Sequence, residues 1–239
     1  MKTLDIDVPD GVDIVSADNA HAVASMLAEK VAGVLADRLR RPGRASLAVS
    51  GGRTPIAFFE LLAQKPIEWG RVDVVLADER CVDESDPASN AALVKRYLIQ
   101  GPASSANFIP LWHGQASLAE ACTAAEQAMS AMEWPLTALV LGMGTDGHTA
   151  SLFPDAPELF QALDARRPGH VIALTPTSQP QKRLSLTLRA LAGARYKALH
   201  LRGMDKAEAF KQACERPDEI AEMPVRAFLK LGLMVYWSA

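Results

Sequence analysis

A chain of 239 residues is long enough to bury a core that needs no metal or disulfide to hold it, and no break in composition divides it. Its 25 basic and 28 acidic residues leave a formal charge of −3, which argues against general binding to nucleic acid or to an anionic membrane, so any anionic ligand must be held by a local site. Cys81, Cys122 and Cys214 are odd in number and far apart, which suggests neither a disulfide framework nor a zinc site.

The opening stretch Met1–Asp10 carries acidic residues where a signal peptide has its apolar core, and no apolar run approaches the length of a membrane span. The chain therefore reads as one cytosolic domain over residues 1–239. A short strand is expected around Val12 to Val15. Asp18 or Asn19 then caps a helix to about Arg40, with Val23, Leu27, Val31, Val34 or Leu35, and Leu39 on one apolar stripe. Ala45–Val49 is nearly all apolar, as a central parallel strand covered on both faces requires.

That strand runs into Ser50-Gly51-Gly52-Arg53-Thr54-Pro55 and a helix from Ile56 to about Gln64. Thr54 fits the N-cap and Pro55 the first helical position. The glycines and the helix N-terminus would offer free N–H groups to a phosphate, with the Thr54 hydroxyl beside them and the Arg53 guanidinium directed either there or to solvent. A plain strand-to-helix turn is the competing reading. Arg71–Ala77 is the next strand, and it delivers Asp78-Glu79-Arg80 to its carboxyl end, either as a solvated rim or beside the Gly-rich turns. Ser89-Asn90 caps a helix to about Ile99, Phe108–Leu111 reads as a short strand, and Gln115–Met132 as an Ala-rich helix.

Thr137–Leu141 is a buried strand that stops in Gly142-Met143-Gly144-Thr145-Asp146-Gly147-His148. The spelling Gly142-x-Gly144-x-x-Gly147 matches a dinucleotide-binding fingerprint, but that motif must open a long helix, and Pro154 and Pro157 forbid one. An Asp and a His at the carboxyl end of a parallel strand are instead placed for chemistry. A short helix near Glu158–Ala165 and a strand His170–Leu174 follow. Lys182–Leu188 alternates with period two as a strand or extended segment, and Tyr196–Leu201 is a strand. Lys206 then sits in the first turn of a helix to about Cys214, where a bound anion would account for a cation. Leu231–Trp237 closes the chain as a strand. Strands alternating with helices predict an α/β fold: a doubly wound, mainly parallel sheet with helices on both faces, related to the Rossmann arrangement.

Taken together, Ser50-Gly51-Gly52-Arg53-Thr54-Pro55, Asp78-Glu79-Arg80, Ser89-Asn90, the run Gly142–Pro154, Arg183-Leu184-Ser185-Leu186-Thr187 and Lys206 resemble the 6-phosphogluconolactonases over nearly the whole chain. The resemblance implies a sheet related to those of glucosamine-6-phosphate deaminase and ribose-5-phosphate isomerase, and a metal-free, cofactor-free hydrolase of the oxidative pentose phosphate pathway. The deaminases share the Gly-Gly turn, the Asp after the third strand and the Asp-Gly-His core. After the His, however, they read toward Asn-Glu-Pro, where this chain has Leu152-Phe153-Pro154, and Phe153 cannot transfer a proton.

Hydrolysis of a phosphorylated lactone needs a phosphate anchor, a base for water and a partner for the oxyanion. The anchor is assigned to Gly51, Gly52, Thr54, Arg183 and Lys206, with Arg53 beside them. His148 is the general base, since imidazole titrates nearest neutral pH. Asp146 either orients His148 or holds a sugar hydroxyl, Asp78 binds sugar hydroxyls, and Arg80 is an oxyanion or carboxylate partner. A Ser-His hydrolase lacks its Gly-x-Ser-x-Gly elbow here. A sugar-phosphate-binding regulator would keep the anchor but would need a DNA-binding segment that no basic stripe supplies. The expected partner is a small sugar-phosphate lactone, with no nucleic acid, membrane or obligate protein partner.

Overall fold

The computed structural model describes residues 6–239, so residues 1–5 of the stretch read against a signal peptide lie outside the described residues. The chain forms β1 (Val12–Ser16), α1 (Ala20–Leu39), β2 (Ala45–Val49), α2 (Ile56–Ala63), β3 (Val72–Leu76) and β4 (Asp78–Arg80). It continues with α3 (Asn90–Tyr97), β5 (Asn107–Ile109), α4 (Leu118–Ala128), β6 (Ala138–Leu141), α5 (Leu159–Leu163) and β7 (Val171–Leu174). The last elements are β8 (Arg183–Leu186), α6 (Leu188–Ala192), β9 (Tyr196–Arg202), α7 (Met204–Glu215) and β10 (Leu233–Ser238).

Among the described residues seven strands form one sheet in the order β1-β10-β9-β6-β2-β3-β5, every neighbouring pair parallel. From β2 the chain steps outward to β3 and β5. It then returns to the other side of β2 to lay down β6, and moves away through β9 and β10. The reversal opens a crevice at the carboxyl ends of β2 and β6, which is where open α/β sheets bind ligands. Both Gly-rich turns start there.

The expected helix stripe is resolved in favour of Leu35: α1 buries Val23, Leu27, Val31, Leu35 and Leu39, while Val34 is only partly covered. Asn19, rather than Asp18, is the cap residue, its side chain accepting from the Ala22 N–H at 2.9 Å. This stripe packs on β2, β6 and β10, and α2 lies against α1. Fully buried residues such as Leu27, Leu47, Phe58 and Phe59 make up the layer between, each worth about 1.5–3 kcal/mol of transfer free energy.

A second sheet departs from the expectation of a single one. Asp78–Arg80 forms strand β4 of a three-stranded antiparallel sheet ordered β4-β8-β7, where either a solvated rim or a place beside the Gly-rich turns was expected. Ala77 is the crossover. Its N–H donates to Val49 in the large sheet at 2.8 Å, while its carbonyl accepts from Leu186 at 2.8 Å at the edge of the small one. Antiparallel register sets Asp78 opposite Ser185 and Arg80 opposite Arg183, so residues a hundred positions apart meet at the crevice.

Candidate active site

The turn after β2 is shaped by two different demands for glycine. Gly52 has φ +98°, a left-handed conformation that costs a residue with a Cβ. At Gly51 the constraint is space: a Cβ would stand 1.8 Å from Oδ1 of Asn90. Asn90 opens α3 and is held by its amide, which donates to the Asp78 carbonyl at 2.9 Å. Ser89 provides the cap of α3, accepting from Ala92. Helix α2 starts at Ile56 as expected, but Pro55 stands at its N-cap rather than at the first helical position, with no side-chain cap bond. Thr54 therefore lines the cleft instead of capping, and Arg53 is exposed and takes no part in the lining.

The turn after β6 folds back on itself. Thr149 Oγ1 donates to the Gly142 carbonyl at 2.7 Å, the Gly144 N–H to the His148 carbonyl at 2.9 Å, and the Gly147 N–H to the Gly144 carbonyl at 3.1 Å. This brings Asp146 Oδ1 to 2.6 Å from His148 Nδ1 and 3.2 Å from the His148 N–H. Burial works to raise the Asp146 carboxyl, but the hydrogen bonds from His148 outweigh it and hold the group below its ordinary value. An ionised carboxylate only accepts, so Asp146 selects the tautomer of the neutral imidazole in which Nδ1 carries the proton and Nε2 is the acceptor. Gly144 makes this pairing fit: a Cβ there would lie 2.1 Å from His148 Nδ1 and 2.2 Å from Asp146 Oδ1. Just beyond, Ala150 takes φ +48° in the cleft wall, a local strain of roughly 1–3 kcal/mol.

Phe153 supports the imidazole from beneath. Its ring is 1 % exposed and stacks on His148 at a centroid distance of 3.9 Å and 19°. The same ring carries the Arg183 guanidinium, 5.1 Å from its centroid. Arg183 is itself nearly buried, with Nη2 donating to Gln179 Oε1 at 2.9 Å and Nη1 4.0 Å from Asp78 Oδ2. Asp78 Oδ2 also accepts from Ser151 Oγ at 2.6 Å. Arg80 Nη1 donates to the Ala88 carbonyl at 2.6 Å. Glu79, on the other face of β4, accepts N–H groups from Arg80, Asn90 and Ala91 at 2.7–2.8 Å and so ties α3 to the site. Burial raises its carboxyl above the ordinary value, and those three bonds only partly offset the effect.

These parts enclose a cleft of about 270 Å³. Gly51, Gly52, Thr54, Asp78, Arg80, His148, Arg183 and Lys206 all line it, as expected; Asp146 stands behind His148 rather than in the wall. Ser50, Asn90, His200 and Arg202 also line it, and sequence reasoning passed over them in that role. Asn90 had been read as a helix cap. His200 and Arg202 sit at the end of a buried strand, where their period-two spacing was the one available signal. Among the described residues no group of three or more His, Cys, Asp or Glu could hold a metal ion, and no helix is long and apolar enough to cross a membrane.

The wall of one cleft thus carries a carboxylate-oriented imidazole together with the Gly51-Gly52 backbone, Arg183 and Lys206. Such a site can take a proton from water beside a bound anion. The family model for glucosamine-6-phosphate isomerases/6-phosphogluconolactonase matches residues 18–237. A 6-phosphogluconolactonase of Pseudomonas aeruginosa is 42 % identical over 237 residues, covering 99 % of both chains. One of Mesorhizobium japonicum is 41 % identical over 92 % of this chain and 94 % of its own. The crystal structure of a 6-phosphogluconolactonase from Shewanella baltica superposes with a TM-score of 0.92 at 38 % identity, over 98 % of this chain and all of that one. A monomeric glucosamine-6-phosphate deaminase shares the fold with a TM-score of 0.74 at 18 % identity, covering 95 % of this chain and 97 % of its own. By its sequence from end to end and by its fold, the chain belongs to the glucosamine-6-phosphate isomerase/6-phosphogluconolactonase family.

Proposed function

We propose that the protein hydrolyses 6-phospho-D-glucono-1,5-lactone to 6-phospho-D-gluconate, the lactone step of the oxidative pentose phosphate pathway. The observation that carries this reading is the His148–Asp146 pair stacked on Phe153 in the cleft that holds Arg183 and Lys206. His148 Nε2 takes a proton from water as its oxygen attacks the lactone carbonyl. The oxyanion is met by Arg80, and the ring C–O bond then breaks with the proton returned from His148 to the leaving alkoxide. Asp146 is a positioning residue that fixes the tautomer. Asp78 Oδ1, which makes no hydrogen bond to a described residue, faces the sugar hydroxyls. Gly51, Gly52, Thr54, Arg183 and Lys206 hold the phosphate.

The deaminase alternative needs a proton-handling group where this chain has Phe153, which lies fully buried against the His148 ring. A catalytically silent binder would have no use for an oriented imidazole with a bare nitrogen. On the lactonase reading the whole chain is one catalytic unit, working in the cytoplasm without metal or cofactor, because His148 supplies the base that a metal-bound water would otherwise replace. The test is hydrolysis of freshly generated lactone near neutral pH, measured above its spontaneous opening. Acceleration by the parent that is absent in His148→Ala supports the reading. No acceleration by folded parent protein defeats it.

A further inference from the structure

His200 is 5 % exposed, lines the cleft, and gives neither ring nitrogen a hydrogen-bond partner among the described residues; Nδ1 is fully buried. Buried polar groups are paired as a rule, so an unpaired imidazole in a cleft wall marks a place where a ligand atom completes the bonding. Its position says which part of the ligand. One residue beyond the last register pair of β6 and β9, Leu141 with Leu199, His200 stands beside Gly142, where a Cβ would meet nothing within 4 Å. Gly142 itself therefore puts no side chain between His200 and the Gly51-Gly52 turn. Its ring meets Phe58 of α2 edge-on at 6.3 Å, which puts it at the helix that follows that turn.

Two residues on, and so on the same face of the strand, Arg202 also lines the cleft, and Lys206 follows in the first turn of α7. Neither cation has an ion-pair partner among the described residues. We propose that His200 is a phosphate-binding residue, donating a ring N–H to a phosphate oxygen at the floor of the anchor, with Arg202 supplying a further cation at its mouth. This rests on the sugar-phosphate reading of the cleft and adds to it two groups from β9. Burial lowers the His200 pKa to about 4, so the ring is neutral near pH 7 and keeps one N–H to donate. A neutral donor suits a cleft whose wall already carries Arg183, Arg202 and Lys206, because it adds a hydrogen bond without a further buried charge to desolvate.

The experiment is calorimetric titration of the full chain with inorganic phosphate, 6-phosphogluconate and unphosphorylated gluconate, in the parent, His200→Leu, His200→Gln and Arg202→Gln. His200→Leu should weaken both phosphorylated probes roughly 10- to 100-fold, as loss of a hydrogen bond to a charged group requires, and leave gluconate unchanged. His200→Gln, which keeps a donor, should stay within about threefold of the parent, and Arg202→Gln should lose several-fold and flatten the salt dependence. Unchanged phosphate affinity in His200→Leu, or an equal loss for gluconate, overturns the proposal, the latter pointing to a purely structural ring. If His200→Leu does not fold, the ¹⁵N resonances of His200 in the parent decide, and no perturbation on saturation with phosphate overturns it. A parent that binds phosphate but does not hydrolyse the lactone defeats the lactonase reading while leaving the His200 comparison intact. A parent that binds neither phosphorylated probe removes both.

Discussion

Replacing Gly144 with alanine tests the proposed His148–Asp146 pair without substituting either of its members. The added Cβ would stand 2.1 Å from His148 Nδ1 and 2.2 Å from Asp146 Oδ1, against an ordinary contact of 3.4 Å or more, so about 1.3 Å must be found. The main chain at Gly144 is tied by its N–H to the His148 carbonyl and by its carbonyl to Gly147, so the side chains are the parts free to yield. His148 cannot retreat toward Phe153, whose ring already stacks on it at 3.9 Å. The 2.6 Å bond therefore breaks, Nδ1 loses the acceptor that fixes its proton, and the ring shifts by about an ångström. Misplacement on that scale costs on the order of 10² in rate. We expect kcat for 6-phosphogluconolactone to fall about 100-fold with KM within about threefold, since the phosphate anchor lies elsewhere in the cleft. Overpacking should also cost about 1–3 kcal/mol in stability, read as a modest drop in Tm. A Gly144→Ala enzyme with parental kcat and a folded Tm would refute the assignment of His148 and Asp146 as an oriented pair.

Removing the base itself in His148→Ala should lower kcat by roughly 10² to 10⁴ while 6-phosphogluconate binding persists, and loss of binding instead would assign His148 to the ligand rather than to water. Arg183→Ala should raise KM for the phosphorylated lactone by at least ~10-fold and shrink the preference over unphosphorylated gluconolactone; equal effects on the two lactones would remove Arg183 from the phosphate site. Asp146→Asn gives a pH test. The folded Asp146 carboxyl lies below its ordinary 3.8, so its ionised form adds stability fully above that value and loses it as pH falls through the lower folded value. The Tm gap between parent and Asp146→Asn should thus be constant above about pH 4 and close below it, whereas a gap unchanged at pH 2 would contradict the hydrogen-bonded carboxylate. Glu79→Gln turns one of the two oxygens that accept backbone N–H groups into a donor, and should cost about 1–3 kcal/mol by denaturant unfolding. No loss would show that α3 is not held through Glu79.

The parallel sheet was legible because its central strands are apolar but for single residues, Ser46 and Asp73, and Ala45–Val49, Val72–Leu76 and Ala138–Leu141 are buried at every position. The chemistry was legible where a strand stops in glycine. The small antiparallel sheet was not, since one residue, Ala77, separates β3 from β4, and no turn signal marks a change of sheet. Alternation over Lys182–Leu188 suggested a strand or extended segment without saying what it faces; Arg183–Leu186 is buried at all four positions, because Arg183 and Ser185 turn toward Asp78 and Ser151. His200 was hidden for the same reason: a histidine inside the buried run of β9 looks like core until its ring is found without a partner. The Thr54 cap failed because Pro55 took the capping position, which released the hydroxyl to the cleft.

Phe153 has a consequence for the size of molecule the cleft accepts. One rigid ring bears both His148 and Arg183, so the spacing between the proposed base and the proposed phosphate partner is set by an aromatic ring rather than by two flexible side chains. That spacer works as a length gauge. On the lactonase reading, a lactone carrying its phosphate one carbon nearer the carbonyl should therefore be the poorer substrate, its chain length discriminated by a residue assigned to neither the water nor the phosphate.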